Sequence, residues 1–234
     1  MTKKEEAALR REERLHKEQE RVAGMRTFER EAAGSVFGNY LPAGKKMEQL
    51  LICGIDEAGR GPLAGPVVAG ACILPADHDL LYLNDSKKLS AKKREELYAV
   101  IVKEALAWSV GIAEPARIDE INILQATYEA MRDAVAGLNV QPDVLVNDAV
   151  TIPKISIPQA PVVKGDAKCL SIAAASILAK VTRDRMMEEY DRQYPAYGFA
   201  GHKGYGTRAH IEALKTFGPC PIHRRSFIGH FCNL

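Results

Sequence analysis

Gly54-Ile55-Asp56-Glu57-Ala58-Gly59-Arg60-Gly61-Pro62 decides how this chain is read. An apolar run over residues 50–55 ends in two adjacent acids, and a glycine–arginine–glycine turn follows. Carboxylates at the edge of a buried strand are costly and either neutralise or find a cation. Glycines flanking an arginine let the backbone approach a ligand closely, because no Cβ stands in the way. Together they suggest a metal-holding pair of acids beside a backbone cradle for a phosphate or a sugar. An ordinary surface turn uses the same residue types. The next run, residues 63–74, is small and apolar, so the acids stand between two segments that favour burial.

Outward from this stretch, residues 50–55 and 67–74 read as neighbouring strands joined by the turn. Ser90 caps a helix, residues 108–113 form a third strand, and Leu124, Tyr128, Met131, Val135 and Leu138 recur at helical spacing up to Gly137. Short strands are predicted at 144–146 and 161–164, a long helix at 171–190 with a small apolar first half, and a last helix from the Thr207 cap to about Phe217. Early paired strands followed by alternating strands and helices predict an α/β domain with a mixed sheet.

Two further acids stand at strand ends: Asp148 closes the run 143–148, and Asp166 follows 162–165. Open α/β sheets place ligands where strands terminate. Singly, either acid reads as a helix cap or turn residue. As a set, Asp56, Glu57, Asp148 and Asp166 are expected to converge from three strand ends. Clustered carboxylates raise one another's pKa and call for compensating charge. Oxygen-only ligands favour Mg²⁺ or Mn²⁺, and two such ions suit phosphodiester hydrolysis. Neighbours on a strand point to opposite faces, so Asp56 and Glu57 serve the same ions only if the strand breaks between them or Glu57 offers its backbone carbonyl.

The remaining sequence sets bounds. The chain has 234 residues, 47% hydrophobic and 26% charged, with a net charge of +2. That length suits one domain with an appendage, and so small a charge does not by itself imply nucleic-acid binding. No run reaches the roughly 18 apolar residues of a membrane span, and the first residues continue into charge rather than a signal-like apolar region. Five scattered cysteines without a C-x-x-C pair read as reduced thiols of a cytoplasmic protein, with no zinc site expected. Residues 1–46 are expected to be a charged extension, a solvated and weakly packed helix over 1–33 followed by a linker, ahead of a main domain over 47–234. A nucleic-acid contact through Arg10, Arg11, Arg14, Lys17, Arg21, Arg26 and Arg30 is the alternative, though intervening glutamates cancel much of that field. The stretch 197–207 mixes aromatics, glycines and Lys203, the composition of a nucleic-acid contact loop or of a glycine-rich connector. The basic clusters at 84–89 and 223–226 each read alone as a solvated face.

Six segments together resemble bacterial type 2 ribonuclease H (ribonuclease HII): residues 56–62, 84–89, 164–167, 179–185, 202–205 and 223–227, in order and spacing over about residues 50–228. The resemblance implies an RNase H-like mixed sheet flanked by helices, with a helical C-terminal region. It implies a metal-dependent endonuclease, using two Mg²⁺ or Mn²⁺ ions, that cuts the RNA strand of RNA–DNA hybrids. It also implies incision 5′ to ribonucleotides embedded in duplex DNA, leaving 3′-hydroxyl and 5′-phosphate ends, in ribonucleotide excision repair and RNA primer removal. By position, Asp56, Glu57, Asp148 and Asp166 would be the catalytic, metal-binding acids. Gly59, Arg60, Gly61 and Tyr205 would read the ribose 2′-hydroxyl and the junction, with Lys87, Lys180, Arg183 and Lys203 also in substrate-binding positions. A cytoplasmic monomer without membrane association is expected. Asn147 stands where the family has an apolar residue, and the N-terminal extension lies outside the resemblance. The type 3 relatives lack the glycine–arginine–glycine turn. Two competitors remain: a binding module without chemistry, which four phosphate-repelling acids argue against, and a nucleotide-dependent transferase, whose G-K-[ST] loop is missing.

Overall fold

The computed structural model describes residues 2–38, 40–42, 44–78 and 80–232. Its centre is a five-stranded mixed sheet of order β3-β2-β1-β4-β5. The strands are β1 (Ile52–Ala58), β2 (Val67–Ile73), β3 (Ala107–Ala113), β4 (Val144–Asp148) and β5 (Gln159–Val162). β2 runs antiparallel to β1 and β3, whereas β4 and β5 run parallel to β1. Three neighbouring strands therefore end at the same edge.

β1 extends further than its apolar run suggests. Its ladder with β2 continues through Asp56↔Gly70 and Glu57↔Ala69 to Ala58↔Val68, so the strand does not break between the two acids. The pairing with β4 stops earlier, at Ile55↔Asn147. β5 begins two residues before the expected strand and ends at Val162, because Lys164 takes a left-handed conformation (φ 57°) that no strand continues through. Pro161 is tolerated there because β5 is an edge strand.

Glycines set the layer spacing. α5 (Leu170–Gln193) crosses one face, and a Cβ on Gly54 would lie 2.0 Å from the Ser171 carbonyl carbon, one on Gly70 2.3 Å from the Ala175 oxygen. On the other face α4 (Ile123–Ala136) meets Gly111, where a Cβ would lie 2.0 Å from the Ala130 oxygen. Backbone-to-backbone contact of this kind buries all seven residues of β2.

Caps fix the helix starts. Ser90 and Thr207 accept the Lys93 and His210 amides at the heads of α2 (Ala91–Glu104) and α7 (Arg208–Phe217). Asn122 ends α3 (Pro115–Ile121), a helix the periodicity did not reveal, and caps α4 through the Leu124 and Gln125 amides. α6 (Phe199–His202) is one turn long. α7 is not the last helix, since α8 (Arg225–Ile228) follows it.

α1 (Lys3–Ser35) is solvated over its first half, as expected, but its second half is docked. Val22, Met25 and Ala33 are buried, and Glu29 accepts the Ser171 amide (2.8 Å) and hydroxyl (2.9 Å), capping α5 from outside. Arg21 and Arg30 donate to the carbonyls of Leu83 (2.7 Å) and Ala76 (3.1 Å), and Arg26 to that of His78. These three arginines tie the helix to the body rather than standing free for a nucleic acid. Among the described residues no helix is long and apolar enough to cross a membrane.

Candidate active site

The shared edge of β1, β4 and β5 carries the four acids. Asp56 and Glu57 lie in the last turns of the β1 ladder, Asp148 is the last residue of β4, and Asp166 sits in the short helical turn Gly165–Ala167 after β5. Alternation along β1 puts Gly54 and Asp56 on the α5 face and Ile55 and Glu57 on the α4 face. Asp56 is 6% exposed, accepts the Glu57 amide (2.7 Å) and bonds Ser176 of α5. Glu57 is half-buried and pairs with Arg60 (3.3 Å). Asp148 accepts the Gly165 amide (2.7 Å), which fixes the turn that presents Asp166.

Charge joins these residues. Burial pushes the Asp56 carboxyl well above its usual range, and the Glu57 and Asp148 charges push it further. Glu57 is raised by burial and by Asp148, against the opposing pull of Arg60 and Lys87. Asp166 is raised by burial and by Asp85 and Asp148, again opposed by Lys87. Asp148 therefore links the two ends of the set, and Lys87 faces both. Among the described residues no three His, Cys, Asp or Glu side chains stand close enough together to hold a metal ion. The acids share one edge and one field, but they do not close into a ligand set. Their chemistry still suits a hard divalent cation: oxygen donors only, mutually repelling, one of them, Asp56, largely buried.

A cleft of about 810 Å³ runs beside this edge, lined by Glu57, Gly59, Arg60, Gly61, Lys87, Ser176, Lys180, Arg183 and Tyr205 among others. Asp148 and Asp166 line an adjoining depression, and Lys87 borders both. The wall between β1 and β2 is the Gly59–Gly61 turn. Gly59 has φ 96°, and a Cβ there would lie 2.0 Å from Arg183 Nε, so this position requires glycine. Tyr205 is 46% exposed, and its ring edge lies 3.8 Å from where a Gly61 Cβ would be.

Two buried arginines form the floor under the turn. Arg183 donates from Nε to Pro66 O (2.9 Å), from Nη1 to Lys203 O (3.0 Å) and from Nη2 to Ala64 O (3.1 Å). Arg224 donates from Nε to Gly65 O (2.9 Å), from Nη1 to Arg60 O (2.8 Å) and from Nη2 to Gly59 O (2.6 Å). Burial and the neighbouring Arg183 charge lower the Arg224 guanidinium to about 9. Backbone oxygens thus compensate two desolvated cations and fix the turn in return.

Arg183, expected in a substrate-binding position, borders the cleft but is 1% exposed, with each guanidinium nitrogen on a carbonyl. Lys203 is bound to Glu188 (2.7 Å) and Lys180 to Asp184 (2.6 Å); Lys180 lines the cleft, and Lys87 is exposed at its rim. The cluster at 223–226 is not a solvated face, because His223 and Arg224 are buried. Sequence reasoning missed Arg224 as a site residue; two adjacent arginines carry no sign of which one turns inward. Asn147 is fully buried and donates to Gln159 Oε1 (2.8 Å), so the polar residue before Asp148 is absorbed by the adjacent strand.

The family model for ribonuclease HII matches residues 53–230. The ribonuclease HII of Lachnoclostridium phytofermentans is 67% identical over 177 residues, covering 76% of this chain and 70% of that one. The ribonuclease HII of Clostridioides difficile is 53% identical over 214 residues, covering 92% and 79%. Among solved structures, the ribonuclease H2 of Pyrococcus horikoshii superposes with a TM-score of 0.64 at 30% identity, covering 77% of this chain and 98% of that one.

Proposed function

The chain belongs to the ribonuclease HII family and is a ribonuclease H enzyme, and from that premise we propose how its cleft divides the work on an RNA–DNA substrate. The enzyme hydrolyses the RNA strand of RNA–DNA hybrids and incises 5′ to a ribonucleotide embedded in duplex DNA, leaving 3′-hydroxyl and 5′-phosphate ends. It thereby serves ribonucleotide excision repair and primer removal. One observation carries this reading: at the ends of three adjacent parallel strands, Glu57 lines the cleft of a pinned glycine–arginine–glycine turn and an exposed tyrosine, while Asp148 and Asp166 line the adjoining depression, with Lys87 on both.

Asp56, Glu57, Asp148 and Asp166 would hold two divalent ions, Mg²⁺ or Mn²⁺, which supply an activated water and charge stabilisation for the leaving oxygen. With β1 unbroken, Glu57 would share an ion with Asp56 only through its backbone carbonyl. Bound cations would also relieve the repulsion that raises the Asp56, Glu57 and Asp166 carboxyls. The Gly59–Gly61 turn offers its backbone to the ribose, and Tyr205 contacts the 2′-hydroxyl that separates RNA from DNA at a single position. Lys87 and Lys180 stand at the cleft to meet phosphates. The test is a duplex containing one ribonucleotide, incubated with the Asp56→Asn protein and Mg²⁺. No nicking is expected; nicking at the wild-type rate would sink the proposal.

A further inference from the structure

We infer that the buried histidines His210 and His223 are positioning residues for Tyr205, holding its main chain through a one-directional hydrogen-bond relay. The inference rests on the proposed role of Tyr205 at the ribonucleotide.

His210 and His223 are 0% and 2% exposed, remote in sequence, and joined by a 3.0 Å contact between their Nε2 atoms. The partners at the far end of each ring settle the direction of that bond. The Cys220 backbone amide, which can only donate, lies 3.0 Å from His223 Nδ1. His223 therefore accepts at Nδ1 and carries its proton on Nε2. His210 must then accept at Nε2, which leaves its proton on Nδ1, aimed at the Tyr205 carbonyl 2.9 Å away. The relay runs from the Cys220 amide through His223 and His210 to the main chain of Tyr205, with both rings neutral.

What the relay holds is the cleft segment. Gly204 accepts the Leu63 amide (2.8 Å), Lys203 accepts Arg183, and Leu63 accepts the Arg224 amide (2.9 Å), so residues 203 and 204 are sewn to the segment that follows the Gly59–Gly61 turn. Its Gly204 and Tyr205 main chain leans on His210, the Tyr205 carbonyl also takes the Thr207 amide (2.8 Å), and at Tyr205 the side chain emerges into the cleft. The groups facing the pair are His202 at the end of α6, its ring stacked on His210 at 4.4 Å, Tyr197 before α6, Cys220 after α7 and Arg225 at the head of α8. His202 donates to Tyr197 O and accepts the Gly204 amide. Burial lowers His223 to about 4 and lowers His210 as well. A proton added to His210 would set two N–H groups against each other and cut the relay.

The test compares two substitutions that each keep half of His210. An asparagine amide reproduces the Nδ1 donor and keeps the Tyr205 bond, whereas a glutamine reaches only the Nε2 position. Full-length His210→Asn, His210→Gln and Tyr205→Phe proteins are assayed with Mg²⁺ on a one-ribonucleotide duplex and on a uniform RNA–DNA hybrid. His210→Gln should lower the single-ribonucleotide to hybrid rate ratio about five- to tenfold, the cost of one lost hydrogen bond, and His210→Asn should stay within about twofold of wild type. Equal shifts in both variants, or no shift in His210→Gln while Tyr205→Phe lowers the ratio, overturn the relay alone. An unchanged ratio in Tyr205→Phe overturns the role of Tyr205 and the relay with it. The wild-type ratio provides a readout independent of folding of the variants: it should fall as pH is lowered from 6.5 towards 4, and a flat ratio across that window contradicts the relay.

Discussion

The acid edge and the floor of the Gly59–Gly61 turn are neighbours, yet they are held in opposite ways. At the edge, Asp56, Glu57, Asp148 and Asp166 are placed by strand ends and repel one another, with Lys87 as the cation common to Glu57 and Asp166. At the floor, Arg183 and Arg224 are each satisfied by three backbone carbonyls, and the turn they hold leaves no space for a Cβ at Gly59. The edge is unfinished without added charge, whereas the floor is complete as it stands. In the proposed function, chemistry is assigned to the region where the fold stores repulsion and recognition to the region where it has removed freedom.

Substitutions can pull the two regions apart. Asp56→Asn should lower cleavage of every substrate by on the order of 1,000-fold or more, while its thermal midpoint without divalent ions stays level or rises, since a repelling buried charge is gone. A marked fall in that midpoint would mean that Asp56 supports the fold, and the contrast would fail. At the floor, Arg224→Met leaves three carbonyls unpaired and should cost about 2–4 kcal/mol in denaturant unfolding. A loss below about 1 kcal/mol would show the turn to be held by something else. Titration with Mg²⁺ should stabilise the wild type, by about 2.7 kcal/mol at a hundred times the dissociation constant. The same titration should leave Asp56→Asn nearly unmoved; equal stabilisation of both would place the ion elsewhere.

The smallest effect concerns pH. His223 is held near 4 in the folded chain against an ordinary value of 6.5, so the unfolded chain binds more protons between those values. Stability should therefore be lost as pH falls from 6.5 towards 4. Replacing His223 by glutamine should flatten that slope in calorimetric scans; an unaltered slope would assign it to other groups.

Much of the site was legible because apolar runs and turn chemistry mark strand ends. Asp148 and Asp166 stand at the expected ends, and Ser90 and Thr207 cap the expected helices. The limit of β1 was misjudged because counting apolar residues stops at Ile55, while backbone pairing with β2 carries the strand past both acids. Arg183 and Arg224 looked like free cations because their partners are carbonyls distant in sequence, which no side-chain pattern reveals. The docking of α1 was hidden for a related reason: Val22, Met25 and Glu29 are few among many charges, and their partners lie on α5 and the loop before α2.

The most direct measurement of this division of labour is the pair of cleavage rates for Tyr205→Phe, on a duplex with one ribonucleotide and on a uniform RNA–DNA hybrid, in Mg²⁺. Loss of one hydroxyl from the recognition side should slow the single-ribonucleotide cut by about tenfold or more and leave hybrid cleavage within about threefold of wild type. Equal slowing on both substrates would contradict the account, because Tyr205 would then serve the acids' chemistry or general binding rather than the choice of ribonucleotide.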